Sequence, residues 1–259
     1  FIWQHRRLIK KLIERDIHSR YKSTFLGIFW TVMTPLFMLS VYTFVFSSIL
    51  KARWPSSSDN EFEFAIVLFC GLIIFNLFSE VLNRAPTLIV DNVNYVKKVI
   101  FPVEILPVVV LGSALFQTFI NFLILMVFYL VYFGSMHWTV LLAPLVLLPF
   151  VILLTGIALF LSSLGVFIRD IGQAIGIITT GLMFLSPIFY PLSALPERIH
   201  PYIYLNPLTF IIEQMREVVI WGHLPNWPGL AIYLSISLLI AWMGYYFFIK
   251  TRRGFADVL

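Results

Sequence analysis

Charge is what this chain has least of. Only 12% of its 259 residues are Asp, Glu, Lys or Arg, about half the share near 25% that soluble domains carry. Between Glu104 and Arg169 there are 64 consecutive residues with none, a run long enough for two membrane crossings of about 20 to 25 residues and a turn. A soluble or disordered chain is excluded. Cysteine is almost missing too, and Cys70 alone cannot form an intrachain disulfide, so no redox framework holds an outer loop. Catalytic constellations are also wanting. His5, His18, His137, His200 and His223 are scattered, with no HExxH pair and no carboxylate spaced to complete a metal site. Ser186 has no GxSxG elbow. Gly176 to Gly181 has the glycine spacing of a phosphate loop, but Leu182 stands where the lysine must be. Ionisable groups are likewise lacking at the middle of the apolar runs, where proton-coupled carriers need them. If the chain moves something, the energy has to come from another subunit.

What is present is hydrophobic: 60% apolar residues with 26 Phe, 11 Tyr and 7 Trp, and a mean hydropathy of +0.92. Backbone amides in hydrocarbon must be bonded within a helix or a closed barrel, and these runs lack the period-two alternation of barrel strands. The sequence predicts an all-α polytopic membrane protein, one transmembrane domain over residues 1–259 with six spans. They are Phe25 to Leu50, Phe64 to Leu82, Leu106 to Phe133, Val140 to Phe167, Ile171 to Tyr190 and Leu230 to Ile249. Lysine and arginine divide 14 against 4 between the two sets of connections, which places both termini in the cytoplasm. The net charge of +5 then reports topology and anionic headgroups rather than nucleic acid.

Three segments between the spans carry pattern. Over residues 1–24, Ile9, Leu12, Ile13 and Ile17 recur at helical spacing opposite Arg6, Arg7, Lys10, Lys11 and Arg15. That predicts an amphipathic helix in the headgroup plane, with a plain solvated basic flank as the other reading. The connection 83–102 alternates Leu88, Ile89, Val93, Val96 and Val99 with polar residues. It reads either as a short helix facing a cytoplasmic partner or as a surface link. The stretch 191–229 holds six of the 14 prolines, and its semi-apolar pieces, Leu195 to Leu208 and Ile211 to Trp221, are too short to cross. Re-entrant or interfacial helices are expected there, and helices dipping toward the span bundle would form an outer lid. Aromatic rings suit both interfacial belts and a carbohydrate pathway. Gln117 and Asn121, four apart on one face, are placed to bond across helices.

Read together, RDIHSRYKSTFLGIFWTVMTP (15–35), NYVKKVIFPVEILP (94–107), FIRDI (167–171), SPIFYPLSALPERI (186–199), LNPLTFIIEQMRE (205–217) and the terminal RRGFADVL resemble the transmembrane subunit of the ABC exporters that move O-antigen and related polysaccharides. The resemblance runs over nearly the whole chain. It implies a homodimer in the bacterial inner membrane, working with two copies of a cytoplasmic ABC ATPase that binds the ATP and magnesium, and no enzymatic activity or cofactor in this chain. It implies a coupling helix at Asn92, Val93, Asn94, Tyr95, Val96, Lys97 and Lys98, and a second ATPase contact at Arg169 and Asp170. Outer gate helices between the last two spans would include Pro196, Ile199, Tyr202, Asn206 and Pro207. The implied substrate is an undecaprenyl-pyrophosphate-linked polysaccharide, whose pyrophosphate Arg15, Arg20 and Lys22 would attract at the cytoplasmic mouth. A teichoic-acid or capsule exporter permease is the alternative, and a membrane-embedded polyprenyl-lipid transferase is the reading from another class.

Overall fold

The computed structural model describes residues 4–21, 27–45, 61–96 and 101–258. Among them every regular element is helical: α1 (Arg6–Tyr21), α2 (Trp30–Thr43), α3 (Glu61–Arg84), α4 (Val93–Val96), α5 (Ile105–Phe133), α6 (Ala143–Phe167), α7 (Ile171–Leu185), α8 (His200–Tyr204), α9 (Pro207–Arg216), α10 (Trp227–Thr251) and α11 (Phe255–Val258). Among the described residues four stretches are long and apolar enough to cross a membrane: Phe62–Arg84, Ile105–Phe133, Trp138–Phe167 and Trp227–Gly254. They coincide with the second, third, fourth and sixth expected spans. In the described residues α2 and α7 are shorter, at 14 and 15 residues. The fifth span was expected to run to Tyr190, yet α7 ends at Leu185, because Ser186 precedes Pro187 and takes an extended ψ of 150°. A residue before proline is pushed out of the α region.

Helix α3 is the hub. Phe64 through Val81 are buried on nearly every face, as befits a helix apolar all round and surrounded by protein. It contacts α2, α5, α6, α7 and α9. By contrast α10 buries only Leu230, Ser237, Gly244 and Phe248 and presents its other faces outward. Its close partner is α6, where a side chain at Gly156 would meet the backbone of Ala241, and one at Gly244 the backbone of Gly156. Small residues at a crossing let two backbones touch, which is how apolar helices associate when water supplies no drive.

Helix α2 carries Pro35, whose missing N–H orphans the carbonyl of Thr31. Gln117 Nε2 on α5 donates to that carbonyl at 3.0 Å and to Asn121 Oδ1 at 3.1 Å. Gln117 thus bonds across helices, to the proline-freed backbone, while its bond to Asn121 stays within α5.

Candidate functional site

At one end of the bundle the N-terminal helix, the α3–α4 connection, the α6–α7 turn and the C-terminal tail come together. The apolar face of α1, expected to lie on lipid headgroups, is taken up within the chain. Ile9 and Leu12 are buried against Ile105 and Val109 of α5, and Ile13 sits where a side chain on Gly112 would be. Arg6, Arg7, Lys10, Lys11 and Arg15 remain exposed.

The last turns of α1 are fastened to α3 by a ring of four charges. Arg84 Nη2 donates to Asp16 Oδ1 at 2.7 Å and Arg84 Nη1 to Glu80 at 3.3 Å. Arg20 Nη2 donates to Asp16 Oδ2 at 3.3 Å and pairs with Glu80. Burial pushes the Asp16 carboxyl up, but bonds from Arg84 and Ser113 and the charges of Arg84 and Arg20 outweigh it, leaving it below its ordinary 3.8. Burial lowers Arg20, and Glu80 and Asp16 more than restore it. Arg20, expected as a pyrophosphate contact, is therefore compensated by two carboxylates of its own chain. Arg15 donates to the Tyr95 hydroxyl and lies 5.5 Å from the centroid of that ring. Lys22 lies outside the described residues.

Beyond α3 the chain turns at Ala85 and enters the expected coupling segment. Leu88 and Ile89 are buried with Val103, Leu106, Val110, Leu159, Val166, Phe248 and Phe255. Asp91 and Asn94 are exposed, while Asn92, Val93 and Tyr95 are half-buried. Asn92 Nδ2 donates to the Leu88 carbonyl at 2.9 Å, and Tyr95 stacks on Phe101 at 4.5 Å and 28°. Val96 closes α4, and Lys97 and Lys98 lie outside the described residues. Arg169 and Asp170 are exposed in the α6–α7 turn, which abuts the connection: a Cβ on Gly172 would lie 3.8 Å from Pro86 Cβ. At Gly165 there is no room for one at all against the Pro86 carbonyl.

The tail, which sequence reasoning left without a role, closes this cluster. Phe255 is 1% exposed, set edge-on to Phe248 at 5.5 Å and 84° and 6.1 Å from Phe167. Arg252 pairs with Glu104 at the start of α5. The isolated Phe between RRG and ADVL was the only available signal.

The opposite end holds the residues expected as a gate, and they divide into two groups. Pro196, Ile199 and Tyr202 are exposed on a 3-10 turn, Glu197–Ile199, and on α8. Asn206 and Pro207 instead form a foundation. Asn206 Oδ1 accepts from the Leu208 N–H at 3.0 Å and its Nδ2 donates to Ser186 Oγ at 2.8 Å. Asn at the N-cap followed by Pro at the first helical position is a strong helix start. That is why the second piece begins at Pro207 rather than Ile211 and cuts the first short. Arg216, counted among the loop charges, is 1% exposed.

A crevice of about 410 Å³ opens beneath α2, between α3, α5 and α7. Trp30, Tyr42 and Phe75 share its wall with Thr34, Asn76 and Asn121, a mixture of rings and amides suited to hydroxyl-rich ligands. Among the described residues no group of three His, Cys, Asp or Glu is placed to hold a metal ion.

A family model described as ABC-2 type transporter matches residues 7–220. The O-antigen export system permease protein RfbA of Myxococcus xanthus is 25% identical over 258 residues, 99% of this chain and 96% of that protein. The protein of the same name from Klebsiella pneumoniae is 26% identical over 97% of this chain and 95% of its own length. The polysialic acid transport protein KpsM of Escherichia coli is 26% identical over 91% of this chain and 90% of its own.

Proposed function

The chain belongs to the ABC-2 type transporter family, and from that membership we propose that it is the membrane permease subunit of a cell-surface polysaccharide exporter of the O-antigen type. The observation that carries the reading is likeness over almost the full length to permeases named for O-antigen export. Two copies form the conduit in the inner membrane, with six crossings each and both termini in the cytoplasm. Two copies of a separate ATPase bind ATP and magnesium and supply the drive, and the chain itself is not an enzyme. The cargo is a polysaccharide on undecaprenyl pyrophosphate.

In this reading Asn92 to Lys98, with Arg169 and Asp170, face the ATPase, and the juxtaposition of the two segments through Pro86 supports a single contact surface. Only differential contact in two ATPase states can bias the permease, since a partner that binds both equally shifts nothing. Arg15 and Lys22, with the exposed basic face of α1, draw the pyrophosphate to the cytoplasmic mouth, whereas Arg20 serves to hold α1 in place. The segment from Pro196 to Pro207 is the outer gate. A capsule exporter is the second reading, favoured by the likeness to KpsM.

Deleting the gene and scoring surface glycan and lipid-linked glycan inside the cell tests the proposal. Surface glycan should disappear while the lipid-linked precursor accumulates internally, and unchanged surface glycan overturns it. Which glycan is lost, O-antigen or capsule, separates the two readings.

A further inference from the structure

Arg216, at the end of α9, is the largest fully buried side chain among the described residues. Its guanidinium reaches two other segments, α3 and the chain just beyond α7. Nε donates to the Val67 carbonyl of α3 at 3.2 Å, Nη1 to the Pro187 carbonyl at 2.6 Å, and Nη2 to the Ile188 carbonyl at 3.1 Å. Glu213, one turn earlier on α9, accepts from Nη1 at 3.1 Å. The group rests in a notch on α3 made by Gly71, where an added Cβ would stand 2.8 Å from Nη2.

Each partner has a physical reason to be there. Helix α7 stops before Pro187, so the carbonyls of residues 187 and 188 fall outside its ladder, and buried carbonyls without a donor are costly. A planar fork of five donors can serve three backbone carbonyls and a carboxylate together, which a lysine ammonium cannot. The positions tied are also particular. Residues 187 and 188 begin the excursion that carries the exposed Ile199, Tyr202 and Leu205, and α9 ends it. The Asn206 to Ser186 bond closes the same base from the other side.

We propose that Arg216 is the positioning residue of the outer gate, clamping both ends of the 187–206 excursion to α3 so that the excursion seals the conduit as a lid on a fixed base. The inference rests on the permease reading above. Loss of the clamp frees the base, and the lid then no longer holds its place without ATP.

The test uses the whole permease–ATPase complex in liposomes filled with a self-quenching dye, without nucleotide and without glycan. Arg216→Met should raise dye leakage at least about tenfold, the least that loss of a buried charge-assisted bond implies, while the complex still elutes as one assembly. Arg216→Lys should fall between it and the wild type. Vesicles with Arg216→Met as tight as wild type overturn the proposal. Should that variant fail to accumulate, Gly71→Ala, which crowds the guanidinium from the α3 side, decides: leakage supports the clamp, and tight vesicles or a second failure to accumulate overturn it. Because leakage is read without cargo, a wrong glycan assignment leaves this result standing, and a failed clamp leaves the export assignment standing.

Discussion

Replacing Asp16 with Asn tests whether the four-charge ring is what fastens the N-terminal helix. The carboxylate takes Arg84 at 2.7 Å and Arg20 at 3.3 Å, with its side chain 22% exposed. An amide keeps the volume and one acceptor oxygen but removes the charge and the second acceptor, leaving Glu80 as the carboxylate between the two guanidinium groups. A hydrogen bond to a charged group contributes about 1.5–3 kcal/mol, and discounting it for partial water access leaves about 1–2 kcal/mol. That is ~5–30-fold in the ratio of docked to undocked helix. Hydrogen exchange on the complex in nanodiscs reads it directly: amides of Leu12 to Arg20 should lose protection by that factor while α10 is unchanged. A carboxylate held below its ordinary value contributes stability that is fully present above that value and is lost as pH falls through the lower one. Protection of α1, corrected for intrinsic exchange, should therefore stay flat from about pH 5 to 8 and decline only below ~4. Unchanged protection in both Asp16→Asn and the Asp16→Asn, Glu80→Gln double variant would refute the reasoning.

Two further substitutions probe other contacts. Gln117→Leu strips the donor from the carbonyl orphaned by Pro35 and should cost about 1–3 kcal/mol in denaturant unfolding. The cost should shrink in a Pro35→Ala background, where the helix regains its own N–H, and an equal cost in both backgrounds counts against the pairing. Gly165→Ala forces a methyl against the Pro86 carbonyl at an overpacking cost of about 1–3 kcal/mol, displacing the α3–α4 connection. Transport-stimulated ATP hydrolysis should be lost while the complex still assembles, and full stimulation would show that the connection does not carry the drive.

Much of the architecture was legible because hydropathy is additive along a window. Residues 105–168 needed no knowledge of their neighbours to read as two long helices, and both are present as α5 and α6. The amphipathic period of α1 was readable on the same ground, although periodicity reports an apolar face without saying what covers it. Here the cover is α5 of the same chain. The helical pieces between the last two expected spans were half legible: prolines marked the region, but the join fell at Asn206–Pro207, a cap signal that outweighed the apolar pattern around it. Arg216 and Phe255 were not legible as anchors. One looked like an ordinary loop charge, and the other like one more aromatic in a chain with 26 phenylalanines.

By itself, the amino-acid order determined the solvent this protein lives in, the length of its crossings and the helical form of its backbone. Those follow from residue chemistry and from the demand that every amide in hydrocarbon be bonded within its own segment. Tertiary structure alone decided which charges are spent. Arg20 meets Glu80 across 60 positions and Arg216 meets Val67 across 149, and no local pattern encodes such partners. The net value of a charge depends on what stands within a few ångströms of it once the helices have packed, and for Arg216 that is set by the room Gly71 leaves.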